Sequence, residues 1–239
     1  MKSACYKSVS IIIPTLNEKD NIKPLFLELK RYIRSKWNVI IVDSNSMDGT
    51  REEAQKVGIL MGIPVKVINT GKLDLGNSVV KGFGYAKGKI LVVMDADLQH
   101  HPKFLQQLVN GIEKLNFDIV IASRFVRGSV VEFSAIRKIK SIGLRYIIYL
   151  LFPKLFRIKD PAAGFFALKR GVIKGIALKP IGFKILLEIL IKRRYKRVLE
   201  IPFVFKERVK GETKVNKKQI IKIIKHLLNL FMYNYFYVS

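Results

Sequence analysis

Five short apolar runs alternate with helix-type segments in the first half of the chain, and this alternation constrains the fold more than any other feature. The runs are VSIII (9–13), NVIIVD (38–43), PVKVIN (64–69), KILVVMD (89–95) and DIVIAS (118–123). A strand that is apolar throughout is typical of a parallel sheet with helices on both faces. The sequence therefore predicts an α/β fold of the nucleotide-binding type, with ligands at the carboxyl ends of the strands.

Three of the predicted strands end in polar residues. The first is followed by PTLNE (14–18), the second ends in DSNSMDGT (43–50) and the fourth in DADLQ (95–99). A bare D-x-D also occurs where an acidic turn caps the next helix, so this motif alone is ambiguous. Three polar ends at one edge of a parallel sheet instead favour a ligand-binding site.

The acidic turn Asp95-Ala96-Asp97 has the chemistry of a divalent metal site. Mg²⁺ or Mn²⁺ that bridges the phosphates of a nucleotide needs only one or two protein carboxylates, because phosphate oxygens and water complete its coordination. Gln99 can add a neutral oxygen. Such a metal neutralises a diphosphate as it departs, so the turn favours a reaction in which a nucleoside diphosphate leaves.

Positive charge is concentrated in the second half of the chain. Residues 1–120 carry 17 Lys and Arg against 12 Asp and Glu, whereas residues 121–239 carry 27 against 6. Nucleic acid, an acidic membrane surface and phosphorylated substrates are the anionic partners that fit this charge. The sequence has no recognisable zinc-finger or RNA-binding motif, and its single cysteine excludes an intrachain disulfide.

Two segments of the second half are amphipathic, with a basic face and an apolar face. They are SAIRKIKSIGLRYIIYLLFPKLF (134–156) and NKKQIIKIIKHLLNLFMYNYF (216–236). A helix of this kind packs either on the core of its own protein or on a membrane surface, and the pattern leaves both open. Neither segment has the roughly 18 uninterrupted apolar residues that a spanning helix needs, so a peripheral protein is expected.

Two further patterns are interpreted as structural. His100 and His101 are adjacent and cannot share one helix face as a metal pair would, so we expect them to be solvated turn residues. Gly82, Gly84 and Gly88 have neither the dinucleotide-binding nor the P-loop spacing, so their expected role is close helix packing.

Eight motifs along the chain occur in a definite order. They are PTLNEKDNI, VDSNSMDGT, VVMDADLQHHP, ASRFVRG, IRKIKS, DPAAGFFALKRGVI, PIGFKILLEILIK and RVKGETK. In this order they resemble the motifs of dolichyl-phosphate mannose synthases, which are inverting GT-A glycosyltransferases of family 2. The resemblance covers nearly all of residues 8–216 and implies a GT-A fold. It also implies transfer of mannose from GDP-mannose to the phosphate of dolichol or another long polyprenol.

The same resemblance implies roles for individual residues. The metal would be bound by Asp97 and Gln99, with Asp95 as a further candidate. The donor would be held by residues at the three strand ends and by two later cations, namely Pro14, Leu16, Glu18, Val42, Asp43, Ser44, Asp95, Ala96, Asp97, Arg208 and Lys214. Arg124 and Arg137 would hold the acceptor phosphate. The implied catalytic set is Asp97, Arg124, Arg137 and Arg208.

Two positions depart from the commonest form of the family. Leu16 stands where Tyr is usual, and Ser44 stands where a second Asp often follows the first. Recognition of the base, and hence GDP over UDP, is the property that these departures affect. A polyprenyl-phosphate glucosyltransferase that uses UDP-glucose is therefore the alternative enzyme.

A phosphate acceptor explains why the sequence offers no obvious general base. The phosphate is already an anion at neutral pH, so its oxygen can attack the anomeric carbon without a side chain removing a proton. Arginines and the metal would offset the repulsion between two anionic reactants. The segment RVKGETK (208–214), which contains a Gly and several cations, is expected to close over the diphosphate as a lid.

The expected organisation is a catalytic domain over residues 1–215, with a membrane-facing segment at 134–156, followed by an amphipathic helix over residues 216–239. The expected partners are GDP-mannose, a polyprenyl phosphate and the cytoplasmic face of a membrane. A nucleic-acid-binding protein would have no use for three acidic strand ends and is disfavoured. The chain could also be the catalytic part of a larger membrane protein, or act with a membrane-anchoring partner protein.

Overall fold

The computed structural model describes residues 8–132, 135–192, 194–205 and 217–237. The strands are β1 (Val9–Thr15), β2 (Trp37–Asp43), β3 (Val65–Asn69), β4 (Ile90–Val93), β5 (Ile119–Ser123), β6 (Val130–Val131), β7 (Phe166–Lys169), β8 (Val198–Pro202) and β9 (Val204–Phe205). The helices are α1 (Lys19–Tyr32), α2 (Thr50–Met61), α3 (Leu75–Tyr85), α4 (Leu105–Glu113), α5 (Ala135–Leu151), α6 (Ile185–Lys192) and α7 (Lys217–Tyr237).

Seven of these strands form one sheet in the order β3-β2-β1-β4-β7-β5-β8, and β6 pairs separately with β9. β1 pairs in parallel with β2 and β4, β2 with β3, and β5 with β8. β7 runs antiparallel between β4 and β5. The α/β fold with a mainly parallel sheet is therefore confirmed, whereas β7 is not among the strands predicted from the apolar runs.

The side chains on the two faces of the sheet belong to two separate apolar clusters. Ile11 and Ile13 of β1 belong to the cluster that contains Phe26 of α1, whereas Ile12 belongs to the cluster that contains Phe83 of α3. All three isoleucines are completely buried. Because successive side chains point to opposite faces and both faces are covered, consecutive positions of the strand are apolar rather than every second one. Each such side chain contributes roughly 1.5–3 kcal/mol of burial free energy.

Gly82 and Gly84 of α3 and Gly88 of the following turn have different roles. A Cβ on Gly82 would lie 2.6 Å from Cγ2 of Ile12, so the absence of a side chain lets α3 pack closely on β1. A Cβ on Gly88 would lie 2.5 Å from the backbone nitrogen of Ser10. Close packing is therefore confirmed for Gly82 and Gly88, but it is wrong for Gly84, which faces open space.

The amphipathic helices α5 and α7 are only partly packed on the core. Leu227 and Leu230 of α7 are buried in one cluster with α6 and with Ile148 of α5. Many other apolar side chains of α5 and α7 are exposed, namely Ile139, Tyr146, Ile147, Leu150, Ile220, Ile221, Ile224, Leu228, Phe231, Met232, Tyr235 and Phe236. Within the ranges described, no helix has the length and apolar character needed to cross a membrane.

Candidate active site

The acidic turn after β4 is held in place by a buried histidine. The backbone N–H of Asp95 donates to Nδ1 of His100 at 3.0 Å. The His100 ring is buried and stacks on Phe165, with 5.2 Å between the ring centroids. The expectation of a solvated turn residue is therefore wrong for His100, because its ring fills space under the turn. His101 is closer to that expectation, since its side chain is 33% exposed.

His100 is neutral in this environment. Burial lowers the pKa of His100 to about 4, although the charge of Asp97 opposes the shift. Because Nδ1 accepts the hydrogen bond from the Asp95 N–H, it carries no proton. The 3.4 Å between Nδ1 and Oδ2 of Asp95 is therefore not an ion pair. The neutral imidazole therefore fixes the position of the Asp95 backbone directly after β4.

The side chains of the turn differ in exposure. The Asp95 side chain is 46% exposed, whereas Ala96, Asp97 and Gln99 are buried. The backbone N–H of Gln99 donates to Oδ1 of Asp97 at 3.1 Å, and Leu98 between them has a left-handed φ of 61°. Carboxylate and amide oxygens are the hard ligands that Mg²⁺ and Mn²⁺ prefer, so Asp95, Asp97 and Gln99 fit a divalent ion. The described part of the chain has no group of three or more His, Cys, Asp or Glu side chains that could hold a metal.

Asp43 at the end of β2 shapes the loop that follows it. The carboxylate is completely buried, and its Oδ2 accepts hydrogen bonds from Oγ1 of Thr15 at 3.0 Å and from Oγ of Ser46 at 2.5 Å. Its Oδ1 accepts from the backbone N–H of Ser46 at 2.8 Å. The Ser46 hydroxyl also accepts from the backbone N–H of Asn17 at 2.8 Å. Asp43 therefore joins the loops that follow β1 and β2.

The other predicted donor-binding residues at these strand ends also come together. Pro14 pairs with Val42 in the parallel register of β1 and β2, and both residues are buried. Leu16 is 36% exposed and Glu18 is half-buried on the loop after β1. The predicted nucleotide-binding residues thus lie on two adjacent strand ends.

Ser44, which departs from the commonest form of the family, is buried against α3. Its hydroxyl lies 2.8 Å from the hydroxyl of Ser78, and its backbone N–H donates to the carbonyl of Thr15 at 2.9 Å. A buried carboxylate would need a counter-charge here, whereas two hydroxyls satisfy each other. The serine at position 44 therefore has a neutral hydrogen-bonding partner, Ser78, as a neutral side chain requires.

Arg124, which follows β5, is paired with Asp160. Its Nε donates to Oδ2 of Asp160 at 2.8 Å, and its Nη2 donates to Oδ1 at 2.7 Å. Burial would lower the pKa of Arg124, but Asp160 outweighs that effect and raises the pKa above its ordinary value. The charge of Asp95 also acts on Arg124, which places this arginine near the acidic turn.

Asp160 is itself positioned by Glu200 of β8. The backbone N–H groups of Lys159 and Asp160 donate to the two oxygens of the Glu200 carboxylate at 2.7 and 2.9 Å. Burial raises the pKa of Glu200, while these hydrogen bonds oppose the shift. Asp160 is a site residue that the sequence analysis missed, although it lies in the quoted motif DPAAGFFALKRGVI.

Arg137 and Lys184 bring two further cations near Arg124. Arg137 of α5 is half-buried, and its guanidinium carbon lies 5.4 Å from the ring centroid of Phe205. Lys184, directly before α6, donates from Nζ to the carbonyl of Ala162 at 2.9 Å. Lys184 is also missed by the sequence analysis, because the motif PIGFKILLEILIK reads as an amphipathic helix.

The electrostatic environment of Lys184 identifies its neighbours. Burial, followed by the charge of Arg124, lowers the pKa of Lys184 to about 7. Smaller effects come from Asp160, Asp95 and Arg137. The predicted acceptor-binding arginines and the acidic turn are therefore in one neighbourhood, with Lys184 among them. Arg208 and Lys214, with the predicted lid 208–214, lie outside the described residues.

A surface cavity of about 450 Å³ lies elsewhere, lined in part by Asp118, Lys169 and Tyr195. Asp118 precedes β5 and Arg124 follows it, so this cavity and the acidic turn are at opposite ends of the strands. The cavity therefore belongs to a different part of the surface from the candidate active site.

A comparison with protein families matches residues 10–176 to Glycosyl transferase family 2. The matched residues include the ends of β1 and β2, the acidic turn, Arg124 and Asp160. More than half of the chain is therefore accounted for by one family.

Curated relatives extend the match over almost the whole chain. The Dolichol-phosphate mannosyltransferase of Pyrococcus furiosus is 43% identical over 225 residues, which are 93% of this chain and 63% of that protein. The chain thus spans less than two thirds of that relative's length. The Dolichol-phosphate mannosyltransferase of Saccharomyces cerevisiae is 33% identical over an alignment of 241 positions, which covers 95% of this chain and 88% of that protein.

Solved structures support the fold. Glucosyl-3-phosphoglycerate synthase from Mycobacterium tuberculosis, in complex with Mn²⁺, uridine diphosphate and glucosyl-3-phosphoglycerate, has a TM-score of 0.70 at 18% identity. That match covers 95% of this chain and 80% of the solved chain. The same enzyme with Mn²⁺, UDP-glucose and phosphoglyceric acid has a TM-score of 0.72 at 19% identity.

Proposed function

The chain belongs to glycosyl transferase family 2, and we propose that it transfers mannose from GDP-mannose to the phosphate of dolichol or another polyprenol, with inversion. One observation carries the proposal: the acidic turn and the cations Arg124 and Arg137 share one electrostatic neighbourhood. This arrangement fits a reaction between two phosphate-bearing substrates. The name shared by the curated relatives supports mannose and dolichyl phosphate as the substrates.

The donor half of the site is formed by the ends of β1, β2 and β4. Asp97 and Gln99, with Asp95 beside them, would hold Mg²⁺ or Mn²⁺, whose charge would neutralise the departing diphosphate. His100 keeps the turn in place through the Asp95 backbone. The loops joined by Asp43 would receive the nucleoside. The Mn²⁺ in the solved structures of similar fold supports a divalent ion of this kind.

The acceptor half supplies position and charge rather than a base. An oxygen of the acceptor phosphate attacks C1 of mannose, the bond from C1 to the diphosphate oxygen breaks, and GDP leaves with the bonding electrons. No proton needs to be removed, because a phosphate monoester carries about −1.5 to −2 charges at pH 7. Arg124 and Arg137 would bind this phosphate and offset its repulsion from the donor diphosphate. The pairing with Asp160 orients Arg124 before the substrate arrives.

A lipid acceptor requires access to a membrane, and we propose a peripheral position on its surface. α5 and α7 expose apolar side chains such as Leu150 and Leu228, and the same helices carry Lys140, Arg145 and Lys225. Apolar side chains enter the acyl boundary while cations attract anionic headgroups. These helices would thus bring the site to the headgroup level, where the acceptor phosphate lies.

Incubation of the protein with radiolabelled GDP-mannose, Mn²⁺ and dolichyl phosphate tests the proposed function. We expect label to move into the organic phase only when all three are present, and EDTA to abolish the transfer. A parallel reaction with UDP-glucose identifies the nucleotide sugar. Transfer from UDP-glucose alone would contradict GDP-mannose as the donor, and no transfer from either donor would contradict the function.

A further inference from the structure

Lys184 is carried into the site by a segment that three helices hold. The backbone N–H of Gly76 in α3 donates to the carbonyl of Gly182 at 2.8 Å, and Nδ2 of Asn77 donates to the carbonyl of Pro180 at 2.9 Å. From α7, Nδ1 of His226 accepts the backbone N–H of Ile181 at 3.3 Å. From α6, Glu188 accepts the backbone N–H of Lys179 at 2.8 Å. Residues 179–184 therefore have a fixed path, and the position of Lys184 is set by the fold.

The ammonium group of Lys184 is tied to the same turn that orients Arg124. Its Nζ donates to the carbonyl of Ala162 at 2.9 Å, two residues after Asp160. Among the described residues this is the hydrogen bond that Nζ makes, and no carboxylate there forms an ion pair with it. Nζ also lies 4.5 Å from the ring centroid of Phe183. A lysine ammonium has three N–H donors, so its hydrogen-bonding capacity is not filled by the Ala162 carbonyl and remains available to a ligand.

A purely structural role does not account for a cation at this position. Burial is the largest effect that opposes the charged form of Lys184, and the charge of Arg124 adds to it, while the charges of Asp160 and Asp95 offset these effects only in part. An apolar residue with a similar stem, such as methionine, would fill the space without either cost. The nearby carboxylates therefore do not fully balance the two cations, whereas a bound anion would, and perturbed lysines of this kind are concentrated at functional sites.

We propose that Lys184 is a third cationic ligand of the acceptor phosphate, acting together with Arg124 and Arg137. This inference rests on the proposed function, since it takes a phosphate-bearing acceptor as given. A phosphate monoester has three oxygens that accept charge-assisted hydrogen bonds, so three cations can each contact it. The bound anion also restores the charged form of Lys184, and no proton is transferred during the reaction.

Two substitutions at Lys184 test the proposal, with a matched control on the same segment. Lys184→Met keeps the aliphatic stem, Lys184→Arg keeps the charge, and Lys179→Met alters an exposed lysine five residues away.

Binding of farnesyl phosphate to the protein without donor is measured by calorimetry, together with binding of GDP in the presence of Mn²⁺. We expect Lys184→Met to weaken farnesyl phosphate binding by about tenfold or more, the effect of losing one charge-assisted hydrogen bond. GDP binding should change less than twofold, Lys184→Arg should recover most of the affinity, and Lys179→Met should match the unmodified protein.

The outcomes separate this inference from the proposed function. Unchanged farnesyl phosphate binding by Lys184→Met would overturn it, as would an equal loss of GDP binding, which indicates a local folding defect. If Lys184→Met does not fold, Lys184→Gln takes its place in the same measurement. Weakened phosphate binding in a protein that transfers no mannose would support the phosphate site while contradicting the mannosyltransferase activity.

Discussion

Arg124 and Asp160 form a two-point ion pair in which Nε and Nη2 of the arginine each contact one carboxylate oxygen, at 2.8 and 2.7 Å. The backbone N–H of Arg124 donates to the same carboxylate at 3.0 Å. This side-on contact uses one edge of the guanidinium, so Asp160 does not use the end-on edge, which is formed by Nη1 and the second N–H of Nη2. The arginine that would bind the acceptor is therefore oriented by the protein before any substrate arrives.

Asp160→Asn is expected to lower both stability and acceptor use. The Asp160 side chain is 1% exposed and the Arg124 side chain 14%, so the change leaves a buried guanidinium without its counter-charge. Breaking such a pair costs about 3 kcal/mol of the free energy of unfolding, measured by urea denaturation. The kcat/KM for dolichyl phosphate should fall by about tenfold or more, because Arg124 loses its orientation.

The control is Asp118→Asn, which breaks a more exposed pair with Lys169 at the opposite end of β5 and should lower the free energy of unfolding by less than about 1 kcal/mol. Equal effects of the two variants on kcat/KM would contradict the orienting role.

Asp97→Asn is expected to abolish most metal-dependent turnover while leaving the metal-free protein folded. The asparagine keeps an oxygen that can accept the Gln99 N–H but loses the negative charge that binds a divalent ion. Melting temperatures measured in EDTA should agree within about two degrees, whereas the Mn²⁺ concentration for half-maximal activity should rise by about tenfold or more. Asp20→Asn on the exposed surface of α1 serves as the control. Full activity of Asp97→Asn at low Mn²⁺ would exclude Asp97 as a metal ligand.

His100 is expected to make the protein sensitive to acid. Its pKa is lowered to about 4 in the folded protein but returns to about 6.5 on unfolding, so the unfolded chain binds the proton more readily between these values. The stabilising contribution is complete above pH 6.5 and is lost as the pH falls towards 4, with about 2 kcal/mol lost between pH 7.5 and 5. In urea denaturation with EDTA present, the free energy of unfolding of His100→Gln should fall by about 2 kcal/mol less than that of the unmodified protein over this pH range. His101→Gln should behave like the unmodified protein, and an unchanged pH dependence in His100→Gln would contradict the assignment.

The exposed apolar side chains of α7 are expected to bind anionic membranes. Ile224 and Leu228 are 52% and 56% exposed, so glutamate at both positions should be tolerated by the fold. The double variant should bind vesicles of phosphatidylcholine and phosphatidylserine at least about tenfold more weakly in a sedimentation assay, since two apolar contacts are lost and two negative charges are added. Ile59→Glu on α2, where Ile59 is 81% exposed, should bind as before. If Ile59→Glu lost as much vesicle binding as the double variant, net charge alone would explain the attraction, and the membrane contact of α7 would be contradicted.

Sequence analysis was effective where local chemistry repeats along the chain. The continuous Val and Ile runs predicted β1, β2, β4 and β5, because a strand covered on both faces needs apolar residues at every position. The residues at the ends of β1, β2 and β4 come together, as the parallel arrangement requires. β7 was not predicted, because its four residues form a strand only through antiparallel pairing with strands that are distant in sequence.

The residues that sequence analysis missed act through tertiary contacts. His100 sits in a polar turn, and only the packing of Phe165 and the Asp95 backbone show that it is a buried support. Asp160 and Lys184 become site residues because β5, β8 and α6 bring them beside Arg124. No local pattern distinguishes these positions from an ordinary loop aspartate and a solvated lysine.

The antiparallel strand β7 divides the sheet into two groups of strands, β3-β2-β1-β4 on one side and β5-β8 on the other. Most of the residues that would hold the sugar nucleotide lie at the ends of β1, β2 and β4, before residue 100, with Arg208 and Lys214 as later exceptions, whereas Arg124, Arg137, Asp160 and Lys184 all follow β4 in the chain. β7 joins the two groups through four residue pairs with β4 and three with β5. A change of sugar nucleotide would therefore fall mainly on the ends of the first group of strands, and a change of anionic acceptor mainly on residues that follow the second group, while β7 itself could stay the same.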